Sequence, residues 1–260
     1  LSFALGVYLF NYQFNQFAGV HLNINTEFYS SDFTSHLKTL LAEFGAANKK
    51  VVWLTLAAEQ ADFVPDCIKL GFEYHNCLPD QITLIYRLQA DAYAPFSPTH
   101  TVGAGAVVIN DKNQILMVRD NFGQYRGFKL PGGHVELGED IHIAAEREVF
   151  EETGIKAEFN RVLGFIHKHP YRYGKSNLYF VCQLEAKTQN TQIQDPNEIA
   201  EVRWLDIDEF IQDSEQSEFV RDLVKTIKNN LAHNPGLKLT ASVPSQEQGV
   251  QRRDLFIIAD

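Results

Sequence analysis

Apolar positions along the chain recur with two periods, that of a strand and that of a helix, and their succession predicts an α/β protein. Val20, Leu22 and Ile24 alternate with polar residues, as on a half-buried strand. Phe33, Leu37, Leu41 and Phe44 then recur at helical spacing, with Ser30 and Ser31 as candidate caps. Residues 50–56 (KVVWLTL) form a β-branched, apolar run that predicts a central strand. A helix is predicted over 58–70, stopped at Gly71, although Pro65 disfavours its first half. Residues 72–76 and 81–88 read as further strands, so the segment predicts a mixed sheet with helices against it. Residues 89–101 carry two prolines and no apolar period. The expected organisation is a small domain over 1–90, a linker over 91–101, a larger domain over 102–231 and a tail over 232–260.

In the larger domain, residues 102–109 and 114–119 predict strands flanking the turn sequence NDKN. A glycine-containing loop over 121–127 leads to FKLPGG at 128–133. A helix is expected over 140–153, stopped at Gly154, with Ile143, Ala144 and Val149 as its packing residues. Strands are expected near 157–168, 176–184 and 201–205, and helices near 207–211 and 215–231. The final apolar run, 255–259 (LFIIA), reads as a strand docked on the body or as a partner-binding segment. Docking is favoured, because an exposed apolar strand is a liability.

Composition narrows the function classes. The chain has 260 residues, 23 Lys+Arg and 33 Asp+Glu, for a formal charge of −10. That excess of acid argues against a nucleic-acid or anionic-membrane partner. It is compatible with a phosphate substrate, since a divalent cation reverses the local sign. No apolar run is long enough for a transmembrane helix. Residues 1–10 are apolar but lack a basic n-region, so a signal peptide is not expected. Cys67, Cys77 and Cys182 have no metal-type spacing and predict reduced thiols, hence a cytoplasmic setting.

The chemistry concentrates between Gly133 and Ile155. Glu148, Glu151 and Glu152 fall at i, i+3 and i+4, which puts three carboxylates on one helical face. Such a triplet is either a solvated acidic face or a site for a hard divalent cation, which prefers oxygen ligands. Arg147 points about 100° away, from the helical period, and can reach round to fix a glutamate. Gly132 and Gly133 allow backbone to approach a metal or a phosphate closely.

The full stretch fits G-x5-E-x7-R-E-U-x-E-E-x-G-U, U being a bulky aliphatic residue, through Gly133, Glu139, Arg147, Glu148, Val149, Glu151, Glu152, Gly154 and Ile155. It resembles the Nudix box, and the similarity extends over about 101–231. The resemblance implies an α/β/α sandwich with a mixed sheet, and Mg²⁺- or Mn²⁺-dependent hydrolysis of a nucleoside diphosphate linked to another group. It also implies that Glu148, Glu151, Glu152 and the Gly133 carbonyl hold metal, with Glu136 and Glu139 nearby and Arg147 fixing a glutamate. Two or more such ions would polarise the diphosphate and acidify an attacking water. Glu198 is a candidate loop acid reaching the metal centre and equally reads as a solvated side chain. His167, His169, Tyr171, Arg172 and Tyr173 form an aromatic, polar cluster suited to a base or ribose, or an ordinary exposed loop. Arg126 and Lys175 could pair with phosphate.

Residues 51–56, 63–75 and 83–88 resemble the pre-Nudix module of some vertebrate and plant relatives, a small α/β domain similar to the GNAT acyltransferase fold. The Q/R-x-x-G-x-G/A loop that cradles coenzyme A in such enzymes is absent from 1–90, so an architectural role is expected. Plant enzymes with a similar module cleave ADP-ribose and NADH, which ranks those small nucleotides first. The S-Q-P-W-P-F-P-x-S stretch of dedicated NADH diphosphatases is absent, which places NADH second. The rivals are a nucleotide sensor without hydrolysis, an acting N-terminal module, or a Nudix enzyme for nucleoside triphosphates, diadenosine polyphosphates or coenzyme A. The resemblance also allows a homodimer.

Overall fold

The computed structural model describes residues 9–25, 32–122, 127–244 and 252–258, so Ser30, Ser31 and Arg126 lie outside the described residues. The chain divides into two units, Leu1–Pro98 and Thr99–Asp260.

In the first unit, β1 (Phe10–Phe14), β2 (Gly19–Ile24), β3 (Val51–Ala57), β4 (Glu73–Leu78) and β5 (Gln81–Arg87) form one sheet in the order β1-β2-β3-β5-β4. Only β2 and β3 run parallel, because α1 (Phe33–Ala46) supplies the crossover between them. Phe33, Leu37, Leu41 and Phe44 are all buried on that helix, against Leu22, Leu54 and Leu84 of the sheet. The helix expected over 58–70 is instead a 3₁₀ segment, Ala58–Phe63, followed by α2 (Val64–Lys69). Pro65 explains the break: it lacks the N–H that a continuous helix needs there, but is tolerated in the first turn of a new one. In the stretch read as a linker, Ala92 and Ala94 are buried with Val51 and Ile85.

The second unit is an α/β/α sandwich. Its main sheet has the order β8-β6-β10-β9, from β6 (His100–Val108), β8 (Gly132–His134), β9 (Ala157–Lys168) and β10 (Ser176–Ala186). The β6–β10 pair is parallel and its flanking pairs are antiparallel. A second antiparallel pair joins β7 (Gln114–Asp120) to β11 (Ile199–Asp206). The alternation of β6 serves two cores. Ala104, Ala106 and Val108 pack with Ala144, Ala145 and Val149 of α3 (Ile141–Thr153). Val107 faces the opposite cluster, which contains Ile207 and Phe210 of α4 (Ile207–Gln212) and Val224 and Ile227 of α5 (Glu218–Asn230).

Three local readings are refined, and a fourth, docking of the final run, holds. Gly132–His134 is a strand, too short for alternation to reveal. Ile143 is 45% exposed, so it is not a packing residue of α3. The helix expected from 215 begins at Glu218, because Asp213 accepts from the Glu215 N–H and the Gln216 side chain and holds a turn there. The final run docks as part of a hairpin, β12 (Lys238–Pro244) with β13 (Arg252–Ile257), through Phe256 against the α3 core and an Arg252–Asp140 ion pair. Among the described residues, no helix is long and apolar enough to cross a membrane.

Candidate active site

Gly132 and Gly133 bring the acidic helix against the sheet. Gly132 has φ +146°, a conformation that L side chains rarely adopt, and a Cβ there would strike the Ala104 carbonyl and Gly105 Cα. A Cβ on Gly133 would lie 2.5 Å from Glu148 Oε1. Backbone and carboxylate therefore meet with no room for a side chain. At the other end of α3, Gly154 takes the left-handed C-cap conformation and stops the helix.

Arg147 is the hub of the acidic cluster. Its Nε and Nη2 donate to the two oxygens of Glu139 at 2.7 and 2.9 Å. Nη1 donates to Glu148 at 3.0 Å and to Glu151 at 2.8 Å, and Nη2 also reaches the His134 carbonyl. This pairing holds the Glu139 carboxyl below its usual value and keeps the guanidinium charged. Both Glu139 oxygens are thus engaged by Arg147, and one also accepts the Glu136 N–H. Glu136 is exposed.

Glu152 is 3% exposed, buried with Ala144, Ala145, Val149 and Thr153 of the same helix. Burial pushes its carboxyl up to about 8, with Glu148 and Asp120 adding to the rise; Lys129 and the Gly132 N–H oppose it. The Gly132 N–H donates to Glu152 at 2.8 Å, while Lys129 Nζ stands 3.9 Å away and pairs more closely with Asp120, at 2.8 Å. Glu148 is also raised, chiefly by burial. Glu151 is the exposed member of the triplet.

Glu148, Glu151, Glu152 and the Gly133 carbonyl are the residues that would offer an all-oxygen donor set to an ion. Glu152 is buried and Glu148 half-buried, burial raises the pKa of both, and that chemistry fits a hard divalent cation. Among the described residues, no three acidic, histidine or cysteine side chains enclose an ion as they stand. Arg147 holds two of the candidate ligands.

A cavity of about 710 Å³ adjoins this cluster, and Gly132, Gly133, His134, Asp120, Lys129 and Glu198 lie in its wall. Glu152 and Glu148 meet it through Gly132 and Gly133, whereas Glu151 does not line it. Tyr171 and Arg172 line it, but His167, His169, Tyr173 and Lys175 do not. His169 is turned to Ser176 Oγ at 2.6 Å, and Tyr173 is 93% exposed. Lys168, Asn177 and Tyr179 also line the cavity, and no sequence motif marks them. Lys168 Nζ sits 4.4 Å from the centre of the Tyr179 ring, and burial lowers its pKa. The period-two pattern of β9 and β10 was the available signal, since it places Lys168 and Tyr179 on one face across the pair.

Residues 99–226 match the family model described as NUDIX domain, and residues 10–88 match one described as Nudix hydrolase domain. Nudix hydrolase 2 of Arabidopsis thaliana is 31% identical over 242 residues, spanning 90% of this chain and 86% of that protein. Nudix hydrolase 5 of the same organism is 34% identical over 203 residues, spanning 76% and 67%. Nucleoside diphosphate-linked moiety X motif 6 of Mus musculus is 32% identical over 205 residues, spanning 75% and 65%.

Proposed function

The chain belongs to the Nudix hydrolase family, and on that premise we propose that it cleaves ADP-ribose to AMP and ribose 5-phosphate, with NADH as the second-ranked substrate. The observation that carries this reading is the cavity, whose wall joins the acidic cluster to cations and aromatic rings. Its volume of about 710 Å³ suits a small dinucleotide-like ligand. Lys129, Lys168 and Arg172 suit a diphosphate, and Tyr171, Phe122 and Phe219 offer faces for a base.

In this reading Glu148, Glu151, Glu152 and the Gly133 carbonyl hold Mg²⁺ or Mn²⁺. When bound, the ion polarises the diphosphate and lowers the pKa of an attacking water. Arg147 and Glu139 position the ligand carboxylates. Glu198, on the cavity wall, is the candidate to accept the proton of that water. Phosphoryl chemistry of this kind depends on alignment and charge neutralisation more than on covalent help. The test is a panel of nucleoside diphosphate derivatives with product identification. AMP and ribose 5-phosphate from ADP-ribose support the assignment. Fast cleavage of a nucleoside triphosphate or diadenosine tetraphosphate with none of ADP-ribose removes it.

A further inference from the structure

Three histidines gather at the start of β10. In the sheet, His100 is the register partner of Ser176 and His167 that of Leu178, so the two imidazoles flank β10 from strands β6 and β9. Alternation places His167 on the face of β9 opposite Lys168, which lines the cavity. Both histidines are exposed. Their rings stack with centroids 5.3 Å apart and an interplanar angle of 26°, and the Nε2 atoms face each other at 3.3 Å.

That separation has a chemical meaning. Zn–N bonds of about 2.0–2.1 Å at tetrahedral angles put two ligand nitrogens about 3.3–3.4 Å apart. The far side of one ring is also arranged as a ligand's would be. His100 Nδ1 lies 2.9 Å from Thr99 Oγ1; with the proton on Nδ1 donating to that oxygen, Nε2 keeps its lone pair. His169 repeats the arrangement, Nδ1 against Ser176 Oγ at 2.6 Å, with its ring centre 6.0 Å from that of His167. Imidazole nitrogens suit borderline transition metals and not the hard cations that carboxylates take.

We propose that His100 and His167, with His169 as a third imidazole at hand, form a binding site for a divalent transition metal ion of the zinc class, separate from the acidic cluster. Water completes the coordination where His169 does not. The ion would tie the start of β6 to the end of β9, next to the segment that carries Lys168, Tyr171 and Arg172 to the cavity wall.

The test uses the untagged full chain in excess Mg²⁺, with Zn²⁺ titrated against a chromophoric chelator. Glu152→Gln serves as a background that weakens the acidic cluster. The expected result is one equivalent of Zn²⁺ taken up by both the wild type and Glu152→Gln. The H100A/H167A double variant should lose it, and His169→Ala should bind more weakly than the wild type. Cu²⁺ in the same site should show magnetic coupling to at least two nitrogens. Both replaced side chains are exposed, so circular dichroism should show the double variant folded. No Zn²⁺ uptake by the wild type would mean that the histidines only hydrogen-bond each other. Retention of the equivalent by the double variant would assign it to other ligands, such as exposed Cys77. Either result overturns the proposal.

Discussion

Arg147 sets the state of the acidic residues one by one. It takes both oxygens of Glu139 and one each of Glu148 and Glu151, so a cation at the helix glutamates must compete with a guanidinium for them. Glu139→Gln loosens that guanidinium, and we expect a loss of roughly 10–100-fold in activity or Mg²⁺ affinity, as for an outer-shell partner. The same variant tests a pH effect. The Glu139 carboxyl is depressed by Arg147, so it contributes stability that is full above the usual carboxylate range and lost as pH falls through the depressed value. Thermal unfolding of Glu139→Gln should therefore converge with that of the wild type in acid and lie below it near neutrality; an equal gap at every pH contradicts the pairing. Glu152→Gln keeps an oxygen for the Gly132 N–H and should stay folded. It should lose at least the same roughly 10–100-fold in turnover, and near-normal turnover would remove Glu152 from the site.

Among the elements, the three-residue strand β8 is the one on which the cavity floor depends. Gly132→Ala forces a side chain into a left-handed conformation and against the β6 backbone, which should cost about 1–3 kcal/mol or more. A clear fall in melting temperature is expected, and an unchanged one would mean that the loop relaxes freely. The same element marks how far the sequence could be read. The box helix was legible because its spacing is chemically constrained; α1 was legible because its apolar stripe is long. A three-residue strand has no period to detect. Lys168, Asn177 and Tyr179 were missed for a related reason. Strand alternation shows which residues share a face, but only the pairing of β9 with β10 shows that this face meets the box. His169 and Tyr173 share a stretch with Tyr171 but not its place, since His169 is paired with Ser176 Oγ and Tyr173 sits exposed in a left-handed turn.

At the scale of the whole chain, each unit has its own buried cluster, Leu22, Leu54 and Leu84 in the first and Ala104, Val149 and Cys182 in the second. The second unit should therefore fold and bind Mg²⁺ when residues 1–98 are removed, as titration with circular dichroism can check; loss of fold or of Mg²⁺ binding would give the first unit a direct part in the site. The glycine loop missing from residues 1–90 predicts no acetyl transfer from acetyl-coenzyme A by the full chain, which a thiol-release assay can test. The central claim, metal-dependent cleavage of a dinucleotide-like diphosphate beside the box helix, is tested most directly by one measurement. ADP-ribose is incubated with the full chain and Mg²⁺, with and without excess chelator, and the products are separated. Equal amounts of AMP and ribose 5-phosphate, abolished by the chelator, are the predicted result. Undiminished cleavage in chelator, or intact ADP-ribose where 8-oxo-dGTP is rapidly hydrolysed, would contradict it.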